Sequence, residues 1–325
     1  MRRKEQFISD LREGVDVDDI FSVGFKKYPR AYKNGFSFEL RLQDSSGQIA
    51  AVYWGGNSNK EGMVQELYDS FKERDIVHVR GKVSVFREAL QISINPEYGH
   101  KIEKGGDYDL ADFVPCSKID LDVLMKSIDE AVMTVADRDL RAVLQSFFCD
   151  PDFRGRFKNA PAAITHHCNW IGGLSEHTLN VYTTCDFLAK QHEELDHDLL
   201  VTGALLHDIG KVREYEVTSN IDASLEGRLL GHLVMGAQMV DEACRAIPAF
   251  PELLRLKLVH MVLSSHGKFE YGSPKLPAFP EAKALAMADE LGATMEKFIA
   301  IKRDNLARTE DDWAWDKENG NIFLR

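Results

Sequence analysis

Histidine and aspartate stand side by side at the end of an apolar run, in the stretch Leu205-Leu206-His207-Asp208-Ile209-Gly210-Lys211. Imidazole nitrogen suits transition-metal ions, and a carboxylate can bridge two ions and offset their charge. Lys211 adds an ammonium group at the same point, where a phosphate site would need one. A single His-Asp pair is weak evidence, so the prediction of a metal site depends on ligands from other elements.

Further ligand-capable residues occur on the other helical segments of the chain. His177 opens one apolar segment, His232 follows Gly231 at the start of another, and His266 ends a third. Asp289 lies within an apolar run, where an aspartate is costly to bury without a cation or hydrogen bonds. Ligand-capable residues on five successive helical segments are what a metal site in a bundle core requires.

The segments that carry these residues show apolar residues at helical spacing from residue 118 onward. The predicted helices lie near 120–148, 174–194, 198–211, 226–246, 251–265 and 281–303. Residues 20–102 instead show short β-prone runs separated by turn signals, with one helical stretch at 60–72. Three strands, a helix and two more strands match the order of an OB-fold. The sequence therefore predicts a multidomain β + α chain, with an N-terminal OB-fold β-barrel followed by an all-α domain.

Composition shifts place the predicted domain boundaries. They are 1–104 for the OB-fold domain with a short N-terminal extension, 105–118 for a linker, 119–303 for the helical domain and 304–325 for a C-terminal tail. The tail is acidic and aromatic in Asp311-Asp312-Trp313-Ala314-Trp315-Asp316, which is typical of a packing arm or an oligomer contact. A homo-oligomer is therefore a candidate assembly.

The net charge of −12 argues at first against a nucleic-acid partner, but the charge is unevenly distributed. Residues 1–104 carry 17 Lys+Arg against 16 Asp+Glu, whereas residues 105–325 carry 23 against 36. Between residues 25 and 41, cations alternate with aromatic side chains, the pattern with which OB-folds follow phosphates and stack bases. The predicted strand-binding residues are Lys26, Lys27, Tyr28, Arg30, Tyr32, Lys33, Phe36 and Arg41. In the alternative interpretation, Phe36 and Phe38 belong to the core and the lysines only solvate a loop.

Apolar runs and cysteines bear on location. The longest apolar stretches fall short of the ~20 residues that a membrane span needs, and no apolar region follows the charged N-terminal residues. Five cysteines lie far apart in the sequence, with no CxxC pair, as in a reducing compartment. We expect a cytoplasmic protein without a membrane partner.

The order His177, His207-Asp208, Asp289 resembles that of the HD superfamily of metal-dependent phosphohydrolases. Longer strings resemble the YhaM-type 3′→5′ exoribonucleases, in which an OB-fold precedes an HD domain. These strings are 166–167, 172–178, 207–211, 226–232, 264–274 and 289–291. The resemblance covers about residues 20–300. The string at 264–274 and the domain order are more specific than the His-Asp core.

The resemblance implies a ligand set and a metal. A first ion would be held by His177, His207, Asp208 and Asp289, with Asp208 bridging to a second ion that has His232 and His266 as further ligands. Several two-metal relatives have paired histidines where this chain has Ser265-His266, so the implied second site is short of a ligand. His260 faces another side of its helix, because six residues rotate by about 600°. One firm Mn²⁺ site and a second, weaker one are expected, while ligand type leaves Co²⁺, Fe²⁺ and Zn²⁺ open.

The function implied by the resemblance is that of a metal-dependent 3′→5′ exonuclease, which hydrolyses phosphodiester bonds of single-stranded RNA with a metal-activated water. Asp208, Lys211 and His167 are the implied catalytic residues. Lys211 and Lys268 would contact the phosphate. His166 or His167 would hold the substrate, protonate the leaving oxygen, or support other site residues without touching the substrate. The OB-fold would retain the strand and raise its effective concentration. The choice between RNA and DNA depends on 2′-OH contacts that no residue announces.

Two other functions stay open at this level. An HD phosphohydrolase of small nucleotides or cyclic nucleotides would not need the basic and aromatic stretch at 25–41, and length dependence on oligonucleotides separates it from an exonuclease. A non-catalytic single-strand-binding protein would use its metal structurally. In that case replacing His207 with alanine would abolish folding rather than only activity.

Overall fold

A computed structural model describes residues 4–56, 61–164, 168–306, 311–317 and 319–325. The chain forms two compact units, Met1–Cys116 with Val217–Ile221, and Ser117–Glu216 with Asp222–Arg325. Each unit has a hydrophobic core of its own. Within the described ranges, each helix falls short of the length and apolarity that a bilayer crossing demands.

The first unit is built mainly from antiparallel strands. Its elements are β1 (Asp16–Lys26), β2 (Arg30–Tyr32), β3 (Gly35–Asp44), β4 (Gly47–Trp54), α1 (Glu61–Asp69), β5 (Ile76–Phe86), β6 (Ala89–Ile94) and β7 (Lys101–Lys104). In β3, the buried Phe38, Leu40 and Leu42 alternate with Glu39 and Arg41, because successive side chains of a strand point to opposite faces.

Five of these strands close a barrel in the order β1-β3-β4-β6-β5, and β5 pairs back onto β1. The β4–β6 pair is parallel, with Ala51 opposite Ile92, and the other barrel pairs are antiparallel. Fully buried side chains, among them Phe21 and Ile94, fill the interior. This closed five-stranded barrel confirms the predicted OB-fold.

The second unit is mainly helical. Its helices are α2 (Leu121–Thr134), α3 (Arg138–Phe148), α4 (Pro151–Asn159), α5 (Gly173–Gln191), α6 (His197–Leu206), α7 (Lys211–Glu214), α8 (Leu225–Leu230), α9 (His232–Ala246), α10 (Glu252–Leu263) and α11 (Pro280–Leu306). The predicted helical region is confirmed. Two short hairpins depart from the all-α expectation, β8 (Tyr215–Val217) with β9 (Ile221–Ala223), and β10 (Trp313–Asp316) with β11 (Gly320–Phe323).

Helix α6 occupies the centre of this bundle. All residues from Leu199 to Leu206 are buried, and α6 packs against α3, α5, α10 and α11. A helix that is apolar on every side is stable only when other elements surround it. The end of α6 therefore lies inside the bundle.

The segment predicted as a linker contains two buried residues. Phe113 and Val114 are 3% and 1% exposed, and Phe113 packs with Ile20 and Ile76 of the first unit. Residues 105–116 are thus packed with the barrel, although their glycine and acidic residues led to the prediction of a linker. Helix α11 continues to Leu306, beyond the predicted end of the helical domain at 303. The functional domain boundaries stay predictions.

Candidate metal centre and nucleic-acid interface

Six candidate ligands meet in the core of the second unit. They are His177 in the first turns of α5, His207 and Asp208 directly after α6, His232 at the start of α9, His266 just after α10, and Asp289 within α11. Because α6 ends inside the bundle, it delivers its two following residues there, and His207 and Asp208 are 0% and 2% exposed. Their burial follows directly from the apolar sequence of α6.

The first group of ligand atoms comes from His177, His207 and Asp289. The two histidine Nε2 atoms are 3.3 Å apart, and Asp289 Oδ1 lies 3.1 Å from His177 Nε2 and 3.8 Å from His207 Nε2. Asp208 Oδ2 lies 3.3 Å from each of these Nε2 atoms. Two imidazoles and two carboxylates thus converge on one point.

The second group comes from Asp208, His232 and His266. His232 Nε2 lies 3.2 Å from His266 Nε2 and 3.5 Å from Asp208 Oδ1. Asp208 therefore presents one carboxylate oxygen to each group, as a bridging ligand would. Ser265, next to His266, donates its hydroxyl to the carbonyl oxygen of Val262.

Hydrogen bonds at Nδ1 set the tautomers of three rings. His207 Nδ1 donates to the carbonyl oxygen of Ala204, and His266 Nδ1 donates to that of Tyr271, both at 2.8 Å. Nδ1 of His232 donates to Glu214 Oε2 at 2.6 Å. In neutral rings these bonds leave a lone pair on each Nε2. Such an arrangement around histidine is typical of metal ligands.

The histidine Nε2 lone pairs that converge here repel one another and would be stabilised by a divalent cation. The Nε2 atoms of His232 and His266 would repel at 3.2 Å unless a proton or a cation lay between them. Asp208 Oδ1 is buried and has no hydrogen-bond partner among the described residues. Burial, together with the neighbouring His232, lowers the pKa of His266 and keeps that ring neutral. The donor set therefore fits a bound metal.

The two buried carboxylates at the first group also favour a bound cation. Burial alone would lower the pKa of His177, but the carboxylates of Asp208 and Asp289 raise that pKa to about 9. Burial would raise the pKa of Asp208, yet Lys211 and His207 hold it well below its usual value. The raised pKa favours a proton on His177 next to the two carboxylates, and a metal ion would supply that positive charge instead.

A cleft of about 590 Å³ opens over both groups. Lys211 lines it, and its ammonium group lies 2.7 Å from Asp208 Oδ2. Lys268, predicted from the sequence as a phosphate contact, instead donates to Glu290 Oε1 at 2.7 Å. Its ammonium also lies 4.6 Å from the centroid of the Tyr271 ring. His166 and His167, the predicted substrate-holding or proton-donating pair, lie outside the described residues.

Several residues around the metal centre were not identified as functional from the sequence. Glu214 binds His232 although 18 positions separate them, and Tyr271, within the string 264–274, orients His266 through a backbone carbonyl. Lys297 and Asn319 line the cleft from α11 and from the turn between β10 and β11. Lys297 lies eight residues after Asp289 on the same helix, so helical spacing could have indicated it. Glu214 and Asn319 depend on chain segments that only the fold brings together.

Lys26 lies differently from the other predicted strand-binding residues of the barrel. Its ammonium donates to the carbonyl oxygens of Tyr68, at 2.5 Å, and of Phe71, and it lies 3.8 Å from the Tyr68 ring centroid. Burial lowers the pKa of Lys26. Both carbonyl groups lie at or just after the C-terminal end of α1, where the helix dipole makes a cation favourable. Lys26 is therefore engaged inside its own unit.

The other predicted cations divide into paired and exposed ones. Glu39 accepts hydrogen bonds from both Lys27, at 2.7 Å, and Arg30. Lys33 and Arg41 are exposed. Pairing with one carboxylate reduces what Lys27 and Arg30 offer to a phosphate, so Lys33 and Arg41 remain the better placed cations.

The predicted aromatic residues also differ in exposure. Tyr28 is 79% exposed, with its ring 5.4 Å from that of Tyr68. The Tyr32 ring packs 5.1 Å from Trp54. Phe36 packs against the barrel core, which is the alternative stated for it above. Tyr28 is thus the side chain best placed to stack on a base.

Comparison with known proteins agrees with this architecture. The family model described as HD domain matches residues 174–294, and the model described as OB-fold nucleic acid binding domain matches residues 30–97. The 3′-5′ exoribonuclease YhaM of Shouchella clausii is 30% identical over 254 residues, which cover 78% of this chain and 76% of the relative. The protein of the same name from Bacillus subtilis is 29% identical over 81% of this chain and 80% of its own. The chain therefore belongs to the YhaM family of 3′-5′ exoribonucleases.

Proposed function

We propose that this chain removes nucleotides from the 3′ end of single-stranded RNA in a metal-dependent hydrolysis. The observation that carries the proposal is the shared carboxylate of Asp208, which faces one histidine pair with each oxygen at the base of an open cleft. The OB-fold and the names of the relatives support single-stranded nucleic acid as the substrate class. Single-stranded DNA is a second substrate to test.

Two metal sites are part of the proposal. His177, His207, Asp208 and Asp289 would hold the first ion, and Asp208, His232 and His266 the second. A divalent cation held by these residues would supply Lewis-acid chemistry for the hydrolysis of a phosphodiester. Mixed imidazole and carboxylate donors suit Mn²⁺, and Co²⁺, Fe²⁺ and Zn²⁺ are the ions to compare with it. With three donors against four, the second site is expected to bind more weakly.

The remaining cleft residues act on the substrate. Lys211 would bind a non-bridging oxygen of the scissile phosphate while its ammonium remains next to Asp208. That position also keeps the Asp208 carboxylate ionised. His166 or His167 stays predicted to hold the substrate or to protonate the leaving oxygen. Lys268 would reach the phosphate only by exchanging its partner Glu290.

Strand retention would fall to the exposed side chains of the barrel. Tyr28 offers an open ring for stacking, and Lys33 and Arg41 offer exposed cations for phosphates. Tethering the strand raises its local concentration over that of free substrate. A cytoplasmic location and a homo-oligomer stay predictions from the sequence.

The test is a time course on a 5′-labelled RNA of about 20 nucleotides, the length range that one or two OB-folds cover. Mn²⁺, EDTA and the variant D208N are compared, with D152N on the exposed face of α4 as the matched control. We expect labelled products that shorten stepwise from the 3′ end with Mn²⁺, in wild type and D152N alone. Intact RNA under every condition would refute the proposal.

Two further results would favour the alternatives. Binding without cleavage would indicate a non-catalytic single-strand-binding protein. Cleavage of mononucleotides or cyclic nucleotides at a rate that does not rise with strand length would indicate a small-nucleotide phosphohydrolase. Co²⁺, Fe²⁺ and Zn²⁺ replace Mn²⁺ in a parallel series to identify the preferred ion.

A further inference from the structure

The cleft over the ligand groups continues along α11 beyond the metal centre. Asp289, Ala293 and Lys297 all line it, at positions i, i+4 and i+8 of one helix. At 1.5 Å per residue, Lys297 lies about 12 Å along the helix axis from Asp289. The cleft is therefore longer than a site for one phosphate group would need to be.

Between these two points, Glu290, Ala293 and Thr294 line the cleft from α11. Ala293 and Thr294 have small side chains, which leave room above the helix. Asn319 lines the same cleft from the turn between β10 and β11, where Asp316 accepts a hydrogen bond from its side-chain amide. The hydroxyl of Thr294 and the amide of Asn319 can form hydrogen bonds with a sugar or a base.

The charges along the cleft are ordered. Lys211 stands at the metal groups and Lys297 at the far end, while the carboxylate of Glu290 between them is paired with Lys268. Two cations at opposite ends of one cleft match a ligand with anionic groups spaced along a chain. An ammonium group binds a phosphate as a point charge, without demanding one orientation.

We propose that Lys297 binds a backbone phosphate of the RNA strand on the 5′ side of the scissile bond, so that the α11 wall forms a subsite for the nucleotides next to the cleavage point. This inference rests on the proposed function. If it is correct, part of any preference for longer RNA strands comes from the helical unit itself. Asp289 and Lys297 then mark the two ends of the subsite along one helix.

The experiment compares K297Q with K302Q in the full-length chain. Lys302 is exposed on the same helix, outside the cleft-lining residues, so its replacement removes an equal charge. A third variant, K297R, keeps the charge at the tested position. Values of kcat/KM are measured with Mn²⁺ on a dinucleotide, a tetranucleotide and a longer single-stranded RNA, each over a range of salt concentrations.

We expect K297Q to lose about three- to tenfold in kcat/KM on the longer RNA and the tetranucleotide, and clearly less on the dinucleotide, which has no upstream phosphate. Loss of one phosphate contact should also flatten the dependence of log kcat/KM on log salt by about 0.7. K302Q should follow wild type, and K297R should retain most of the activity.

Two results would overturn the subsite. K297Q could match K302Q at every length, or it could lose as much on the dinucleotide as on the longer RNA, which would place Lys297 at the metal groups instead. Failure of the proposed function has a different signature, because wild type itself would then leave every RNA intact, and the subsite would fall with it.

Discussion

A β-carbon on Gly210 would lie 2.0 Å from the carbonyl oxygen of His232. The backbone of Gly210 is right-handed helical, with φ −61° and ψ −24°, so any residue could adopt it. Glycine is therefore not needed there for its backbone freedom. Its absent side chain lets the first turn of α9, with His232, approach the segment that carries Asp208.

Gly210→Ala should destabilise the protein and move His232 away from Asp208 in the second ligand group. A β-carbon this close to backbone atoms forces α9 away, and overpacking of this kind costs about 1–3 kcal/mol. We expect a lower melting temperature and weaker binding of a second Mn²⁺ equivalent, measured by thermal unfolding and metal titration. Gly155→Ala is the control, because Gly155 is exposed in α4 with open space around it. An unchanged melting temperature in Gly210→Ala would contradict the close approach.

His266→Ala should abolish the second metal equivalent and leave the first. Its Nε2 is one of three donors in that group, whereas the first group does not include it. Bound Mn²⁺ is counted by elemental analysis after equilibrium dialysis. His260→Ala serves as the matched control, since His260 accepts a hydrogen bond from the backbone of Ala278 and packs on Phe279. Equal metal content in both variants would rule out His266 as a ligand.

Glu214→Ala should weaken the second metal site through His232. The Glu214 carboxylate accepts from Nδ1–H of His232 at 2.6 Å and so fixes the tautomer. Glu214 also packs closely on Gly227, where a β-carbon would lie 2.4 Å from the Glu214 carbonyl oxygen. Loss of such a partner lowers metal affinity about 10–100-fold. Glu214→Gln keeps an acceptor oxygen and should lose less, and the exposed Glu216→Ala should lose nothing. Metal titration in the absence of RNA measures the affinities of the three variants. Equal affinities would exclude a positioning role for Glu214.

Lys26→Met and Tyr28→Ala should affect different properties of the barrel. Lys26 donates to carbonyl oxygens near the end of α1, so its loss should lower the melting temperature. Tyr28 is 79% exposed, and its loss should weaken RNA binding by about 1–3 kcal/mol if one base stacks on it. Thermal unfolding and fluorescence anisotropy with labelled RNA separate the two effects. Stability loss in Tyr28→Ala without a change in RNA affinity would reverse this assignment.

His197 should make stability depend on pH. Burial lowers its pKa, but hydrogen bonds to Asp198 and Asp186 outweigh burial and raise the pKa above the usual 6.5. The ion pairs therefore stabilise the folded state fully below pH 6.5, and this contribution disappears as the pH rises through the raised pKa. The difference in melting temperature between wild type and His197→Asn should be largest at acidic pH and shrink in alkaline buffer. A difference that grows with pH would show the opposite sign.

The sequence by itself determined which residues could hold metal and which fold classes could place them. The His207-Asp208 pair after an apolar run indicated a buried helix end, because a helix that is apolar all round must be surrounded. The short β-prone runs of residues 20–102 likewise predicted the strands of a barrel. Both inferences rest on local periodicity, which a single segment of chain displays.

Only the tertiary structure decided which predicted side chains are available and what fixes them. Lys26 and Phe36 belong to the same basic and aromatic pattern as Tyr28, yet the barrel engages the first two and exposes the third. Glu214 meets His232, and Asn319 lines the same cleft as Asp289, through packing that no local spacing encodes. Side-chain orientation at an interface depends on partners far apart in the chain, so it appears only when the elements are assembled.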